Sequence, residues 1–281
     1  MEWKGRRQSA NIEDRRRGPS RGTLAGTGGL GLLAIIAIGW FLGVDVTPLL
    51  DETGQTAGAP AEITAADEER GAFVAVVLAD TETIWSEIFE SQLGRAYTPT
   101  TLVLYKGVTQ SACGGASGAT GPFYCPGDRK IYLDTDFFVT LERRLGAGGD
   151  FAAAYVVAHE VAHHVQDELG ILSRANGVRA RVGDAESNAI SVMIELQADC
   201  YSGIWARYAD ERLGTLERGD VGEAVNAAKQ IGDDMLQRDA GRVPMPHTFT
   251  HGTSAQRQHW FATGYRTGDL AACDTFGSDR L

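Results

Sequence analysis

The chain has 281 residues, 43% of them hydrophobic and 22% charged, enough for one large domain or two small ones around a buried core. Its formal charge is −11, but residues 1–21 carry a net +4, which leaves −15 for the remainder. A body that acidic repels phosphate backbones and argues against a nucleic-acid partner, and its plainest role is solubility.

In chain order, the basic head comes first, with Lys4, Arg6, Arg7, Arg15, Arg16, Arg17 and Arg21. Residues 22–44 hold no ionisable side chain, and about 20 apolar residues suffice for a helix to cross ~30 Å of hydrocarbon. This stretch is expected to be a transmembrane helix. The cation bias puts residues 1–21 in the cytoplasm as a tail and everything after Asp45 outside the membrane. A cleaved signal peptide is the competing reading. Its small-residue sites, around Ala57 to Ala61, lie well downstream of the apolar run. Residues 45–66, with Gly, Pro and Thr and few large apolar side chains, read as a linker.

A domain is expected over 67–281. Phe73, Val77, Ile84, Ile88 and Leu93 fall near helical spacing behind an acidic start. TLVLYKG (101–107) and KIYLDTDFF (130–138) are β-branched and aromatic, so they predict strands. GPFYCPGDRKIYLDTDFF (121–138) could supply a strand edge beside the cleft, to which an extended substrate would add, or an interior strand. Four helices follow: Asp150 to Gly170, capped by Asp150; Asp184 to Gly214; Asp220 to about Asp239; and a last one capped by Thr253 or Ser254 and stopped at Gly264. The layout is α+β and mostly helical, with a small early sheet.

Cys113, Cys125, Cys200 and Cys273 are an even number in a domain expected to be exported, which suggests two disulfides. A local Cys113–Cys125 pair would close a glycine-rich loop and leave Cys200 with Cys273. A zinc cluster is the alternative, and no CxxC spacing supports it.

The chemistry concentrates in VVAHEVAHHVQ (156–166), which holds half of the six histidines. His159 and His163, four apart on one helical face, can share a tetrahedral zinc, while Glu160 is turned roughly 100° away and can act as a general base on water. His164 points off that seam, as a surface or supporting histidine. A hydrolytic zinc wants three protein ligands and an open position. ELQADC (195–200) offers Glu195 as the third ligand and Asp199 to accept the far N–H of a liganding histidine, His159 by preference. A solvated acidic helix face is the bland alternative, but the apolar neighbours of these acids speak for burial beside a partner.

The chain also resembles the bacterial neutral zinc metallopeptidases, a membrane-anchored family with one catalytic domain. The resemblance rests on ACG with GPFYCPGDRKIYLDTDFF, VVAHEVAHHVQ, ELQADCYSGIWA and FTHGTSAQRQHWFATGY, spanning about Cys113 to Cys273. HExxH followed by ExxxD is similar, more distantly, to the gluzincin pattern. The resemblance implies a zincin-like domain binding one zinc ion through His159, His163 and Glu195, with Glu160 as base and Asp199 in support, cleaving a protein or peptide at the outer face of a bacterial membrane.

His251, just ahead of the last helix, could donate to the oxyanion, or with Arg257 could simply stitch that helix to the core. Two other functions stay open: a membrane-tethered scaffold with a structural zinc, for which Glu160 would have no use, and a zinc amidase acting on a cell-wall amide.

Overall fold

The computed structural model describes residues 1–17, 63–117 and 120–277. The sheet comes from strands β1 (Ile12–Asp14), β2 (Thr101–Tyr105), β5 (Phe123–Cys125) and β6 (Lys130–Asp134), in the order β1-β2-β6-β5. β1, β2 and β6 run parallel, and β5 is the antiparallel edge. A separate hairpin, β3 (Val108–Ser111) with β4 (Gly114–Ser117), turns at Ala112 and Cys113. The expected strand over 130–138 stops at Asp134, and Phe137 and Phe138 open a short helix, α2 (Phe137–Arg143).

Helix α1 (Ala65–Leu93) backs the sheet and is fixed at its start by a capping box between Thr64 and Asp67. Its aromatic and branched residues Ile84, Trp85, Ile88 and Phe89 are fully buried. The centre of the molecule is α3 (Asp150–Glu168), packed between α1, the sheet, α5 (Asp184–Tyr208) and α6 (Asp220–Gln230). Asp150 is the first residue of α3 rather than its cap. Gly149 holds the cap position at φ 110°, and the Glu223 carboxylate of α6 accepts the Phe151 N–H at 3.1 Å, so a neighbouring helix satisfies that end. A short helix, α4 (Ile171–Arg179), links α3 to α5.

The helix expected over 220–239 is two: α6 ends at Gln230 and α7 (Asp233–Asp239) starts after Gly232. A Cβ on Gly232 would stand 2.5 Å from the Ser254 backbone nitrogen, so a close crossing breaks the helix there. The last helix, α8 (Ser254–Thr267), starts at Thr253, one of the two expected caps, through a capping box with Gln256, but it runs through Gly264 to Gly268. Gly264 is a packing residue: a Cβ there would lie 1.8 Å from the Cys200 carbonyl oxygen, and one on Gly203 would lie 2.0 Å from that of Phe261. The two glycines let α5 and α8 touch backbone to backbone, and the Cys200–Cys273 disulfide ties the same region to the chain's end. Cys113–Cys125 closes the hairpin loop.

Residues 1–17, expected as a tail apart from the domain, are packed on it: Met1 and Arg16 are buried, and β1 is a strand of the main sheet. A strand requires a partner, and β2 supplies one that the local sequence does not announce. Among the described residues no helix is long and apolar enough to cross a membrane, and the expected span at 22–44 lies outside them.

Candidate metal centre

α3 carries His159 and His163 one turn apart, with ring centroids 4.8 Å apart. α5 crosses α3 and brings Glu195 between them. His159 Nε2 is 3.0 Å from Glu195 Oε2, and His163 Nε2 is 3.4 Å from Glu195 Oε1. One donor atom from each of the three residues lies within 4.8 Å of the others. Ligands at about 2.0–2.1 Å around a tetrahedral zinc stand roughly 3.3 Å apart, so two imidazole nitrogens and one carboxylate at these spacings fit that ion. The pocket stabilises positive charge. Burial alone would lower the His159 pKa, yet Asp199 and Glu195 raise it to about 10. Glu195, for which burial would favour the neutral acid, is held well below the carboxylate range by His163 and His159.

Each histidine is oriented through its other nitrogen. His159 Nδ1 lies 3.0 Å from Asp199 Oδ1, outside the angular range of a straight hydrogen bond. Asp199 is fully buried and otherwise saturated. The Tyr155 hydroxyl donates to Oδ1 at 2.5 Å, and Arg257 donates to Oδ2 at 2.8 Å and Oδ1 at 3.0 Å. Burial works against its charge, and Arg257 and His159 keep its pKa low. Arg257 thus does join the last helix to the core, by way of the metal-centre acid.

His163 has a partner that the sequence reading missed. Its Nδ1 is 2.9 Å from Gln166 Oε1, while the Gln166 amide nitrogen donates to the Ile194 carbonyl (2.8 Å) and Gln197 Oε1 (3.1 Å). With that nitrogen committed, Oε1 must accept, so Nδ1 carries the His163 proton and Nε2 keeps its lone pair for the centre. The signal was the spacing: Gln166 is three residues after His163 on the same helix. His164 turns the other way, buried between Tyr124 and the Thr98 carbonyl, in the supporting role expected for it.

Glu160 is buried and lines the same cleft, an opening of about 560 Å³ walled by Phe123, Tyr124, Phe137, Leu145, Val156 and Leu172. Burial pushes its carboxyl above the usual range, and His163 and His159 only partly offset this. Edge strand β5 forms one rim. On the opposite side His251 faces the cleft half-exposed, its Nδ1 3.2 Å from Asp233 Oδ1. Asp233 also accepts the backbone N–H groups of Thr250, His251 and Gly252 at 2.6–3.0 Å. The break at Gly232 points Asp233 into this loop, which is why a continuous-helix reading overlooked it. Burial would lower the His251 pKa, but Asp233 and the Glu195 charge raise it.

A family model described as "Putative neutral zinc metallopeptidase" matches residues 1–276. The chain is 45% identical over 289 residues to the uncharacterized protein YpfJ of Escherichia coli (strain K12), covering 99% of both chains. It is 45% identical over 196 residues to the uncharacterized protein Rv2575 of Mycobacterium tuberculosis (strain ATCC 25618 / H37Rv), covering 66% of this chain and 65% of that one. No solved structure matches it.

Proposed function

The chain belongs to the neutral zinc metallopeptidase family, and from that premise we propose that it is a zinc-dependent peptidase with a zincin-like catalytic domain. The observation that carries this reading is the meeting of His159, His163 and Glu195, from two helices, at the floor of a cleft that Glu160 also lines. His159, His163 and Glu195 would hold one zinc ion, which when bound supplies a Lewis acid that acidifies water and polarises a carbonyl.

The chain's own groups do the rest. Glu160, raised in pKa by burial, takes a proton from the attacking water and passes it to the departing amine. Gln166 holds the His163 imidazole in the tautomer that aims Nε2 inward, and the Asp199 carboxylate stands behind His159 Nδ1 at 3.0 Å. His251, whose protonated form Asp233 favours, donates to the carbonyl oxygen as it gains negative charge. β5 is the edge strand at the cleft rim, where an extended peptide adds to the sheet. The apolar wall built by Phe137, Leu145, Val156 and Leu172 receives an apolar side chain of that peptide.

The test is zinc content followed by a peptide-library cleavage screen on wild type and Glu160→Gln. One zinc per chain in both, with cleavage only in wild type, is the expected result. Equal cleavage by both would overturn the assignment of the base, and absence of zinc from the purified protein would overturn the centre.

A further inference from the structure

The basic head spends its charge on the domain. Lys4 pairs with Glu69 (2.9 Å), Arg6 with Asp80 (2.5 Å), Arg7 with Glu82 (3.0 Å) and Arg17 with Glu68 (2.9 Å), all four acids lying on α1. Arg16 is 7% exposed. It is clamped by Asp14 (2.6 Å) and Glu68 (3.1 Å), and it donates to the Asp67 carbonyl at 2.5 Å. The helix leaves room for it: a Cβ on Gly71 would lie 2.7 Å from Arg16 Nη1. The cations that suggested a cytoplasmic tail therefore have a second explanation, intramolecular complementarity with the acidic body.

Backbone bonds lock the arm as well. β1 pairs in register with β2 (Ile12 with Leu102, Glu13 with Val103, Asp14 with Leu104). Ser9 N–H reaches the Ala75 carbonyl at 2.9 Å, and Trp3 packs edge-on against Phe73 at 5.5 Å between centroids. Met1, 4% exposed, lies in the core, and its α-amino group bonds Asp150 (2.6 Å), the first residue of the helix that carries HExxH. Undocking the arm would strand an inserted guanidinium's partners, open a sheet edge onto Leu102 and Leu104, and expose apolar surface; each of these costs free energy.

We propose that residues 1–17 are a permanent part of the folded domain, and that they lie on the same side of any membrane as residues 63–277. Arg17, at the end of the arm, pairs with Glu68, near the start of α1. A single crossing between them, with the tail on one side and the domain on the other, would require the whole arm interface to be absent. The inference is independent of the peptidase reading.

All four native cysteines are in disulfides, so an introduced thiol can be read alone. Lys4→Cys on the arm and Val243→Cys on the domain, both at exposed positions, are made in the full chain. They are treated with a membrane-impermeant maleimide in intact spheroplasts and after lysis, with wild type as blank. The two sites should behave alike, both labelled in intact spheroplasts or both only after lysis. One labelled in intact spheroplasts and the other only after lysis would overturn the proposal. A second measurement reads the interface: Arg6→Asp and Asp80→Arg should each lower the melting temperature by about 5 °C. Their combination should recover most of that loss, whereas simple addition of the two losses would show that the pair does not form.

Discussion

At the floor of the cleft, Glu195 and Asp199 face two imidazoles; at the outer end of α3, Asp150, Asp220 and Glu223 face the α-amino group of Met1. In both places three possible ligand atoms come within 4.8 Å of one another, so proximity does not separate them. What separates them is the identity of the donors and what already occupies their lone pairs. The cleft mixes nitrogen and oxygen, orients both rings from behind, and leaves Nε2 of each facing inward. The outer cluster is all carboxylate. Glu223 is engaged by the Phe151 N–H, and Asp150 and Asp220 by the amine at 2.6 and 3.3 Å. Two imidazoles and a carboxylate suit zinc, whereas carboxylates neutralised by an ammonium group and a peptide N–H are structural.

The largest effect that tests this contrast is on the chemistry itself. Replacing a positioned general base typically costs 10²–10⁴-fold, so Glu160→Gln should lose roughly 10³-fold in kcat with zinc content unchanged. Next in size is the support behind the metal. Gln166→Ala removes the acceptor that fixes the His163 tautomer and should weaken zinc affinity by about 10–100-fold, measured by competition with a chelating dye. Gln166→Glu keeps that acceptor but sets a carboxylate oxygen against the Ile194 carbonyl and Gln197 Oε1, so it should recover only part of the loss. An unchanged affinity in Gln166→Ala would mean that His163 needs no orientation from behind, and the contrast between the two clusters would lose one of its terms.

The meeting of the candidate ligands was legible because each part of it is local. His159, Glu160 and His163 are fixed by one helical repeat, and Glu195 and Asp199 by another, so only the crossing of two helices had to be supplied by the fold. Gln166 was equally local and was overlooked for want of a reason to ask what the second nitrogen of His163 does. Asp233 was not legible, since its place depends on a helix break forced by contact between Gly232 and Ser254. The docking of the arm was not legible for a deeper reason. Charge segregation along a sequence carries the same signature whether the opposite charge is a membrane surface or the protein's own helix, and only the long-range register of β1 on β2 tells them apart. The small sheet was half visible: β2 and β6 follow from composition, while β1, three residues long, has no local signature.

A smaller effect concerns the rim of the cleft. Because Asp233 raises the His251 pKa, the protonated imidazole persists above the ordinary histidine value, and its contribution is lost only as pH rises through that raised value. Asp233→Asn removes the larger cause of the rise and leaves the Glu195 charge. The alkaline limb of the kcat/KM profile should therefore move to lower pH, with little change on the acid side. A limb that stays in place would assign it to another group and leave His251 as a structural residue of the loop.

The smallest effect should come from the outer cluster, and it is the sharpest test of the difference drawn above. Asp150→Asn keeps the shape of the side chain but removes one charge from beside the Met1 amine. Asp150 is 39% exposed and Glu217 (3.0 Å) and Asp220 (3.3 Å) still face the same group, so solvent and the remaining acids take up most of the loss. The melting temperature should fall by about 2 °C. Zinc stoichiometry and affinity should not move, because nothing at this cluster would compete for an ion at the proposed His159, His163 and Glu195 site. If Asp150→Asn instead removed a second equivalent of zinc, three carboxylates and an amine would have to be counted as a metal site, and the rule that occupied lone pairs mark structure would fail in this chain.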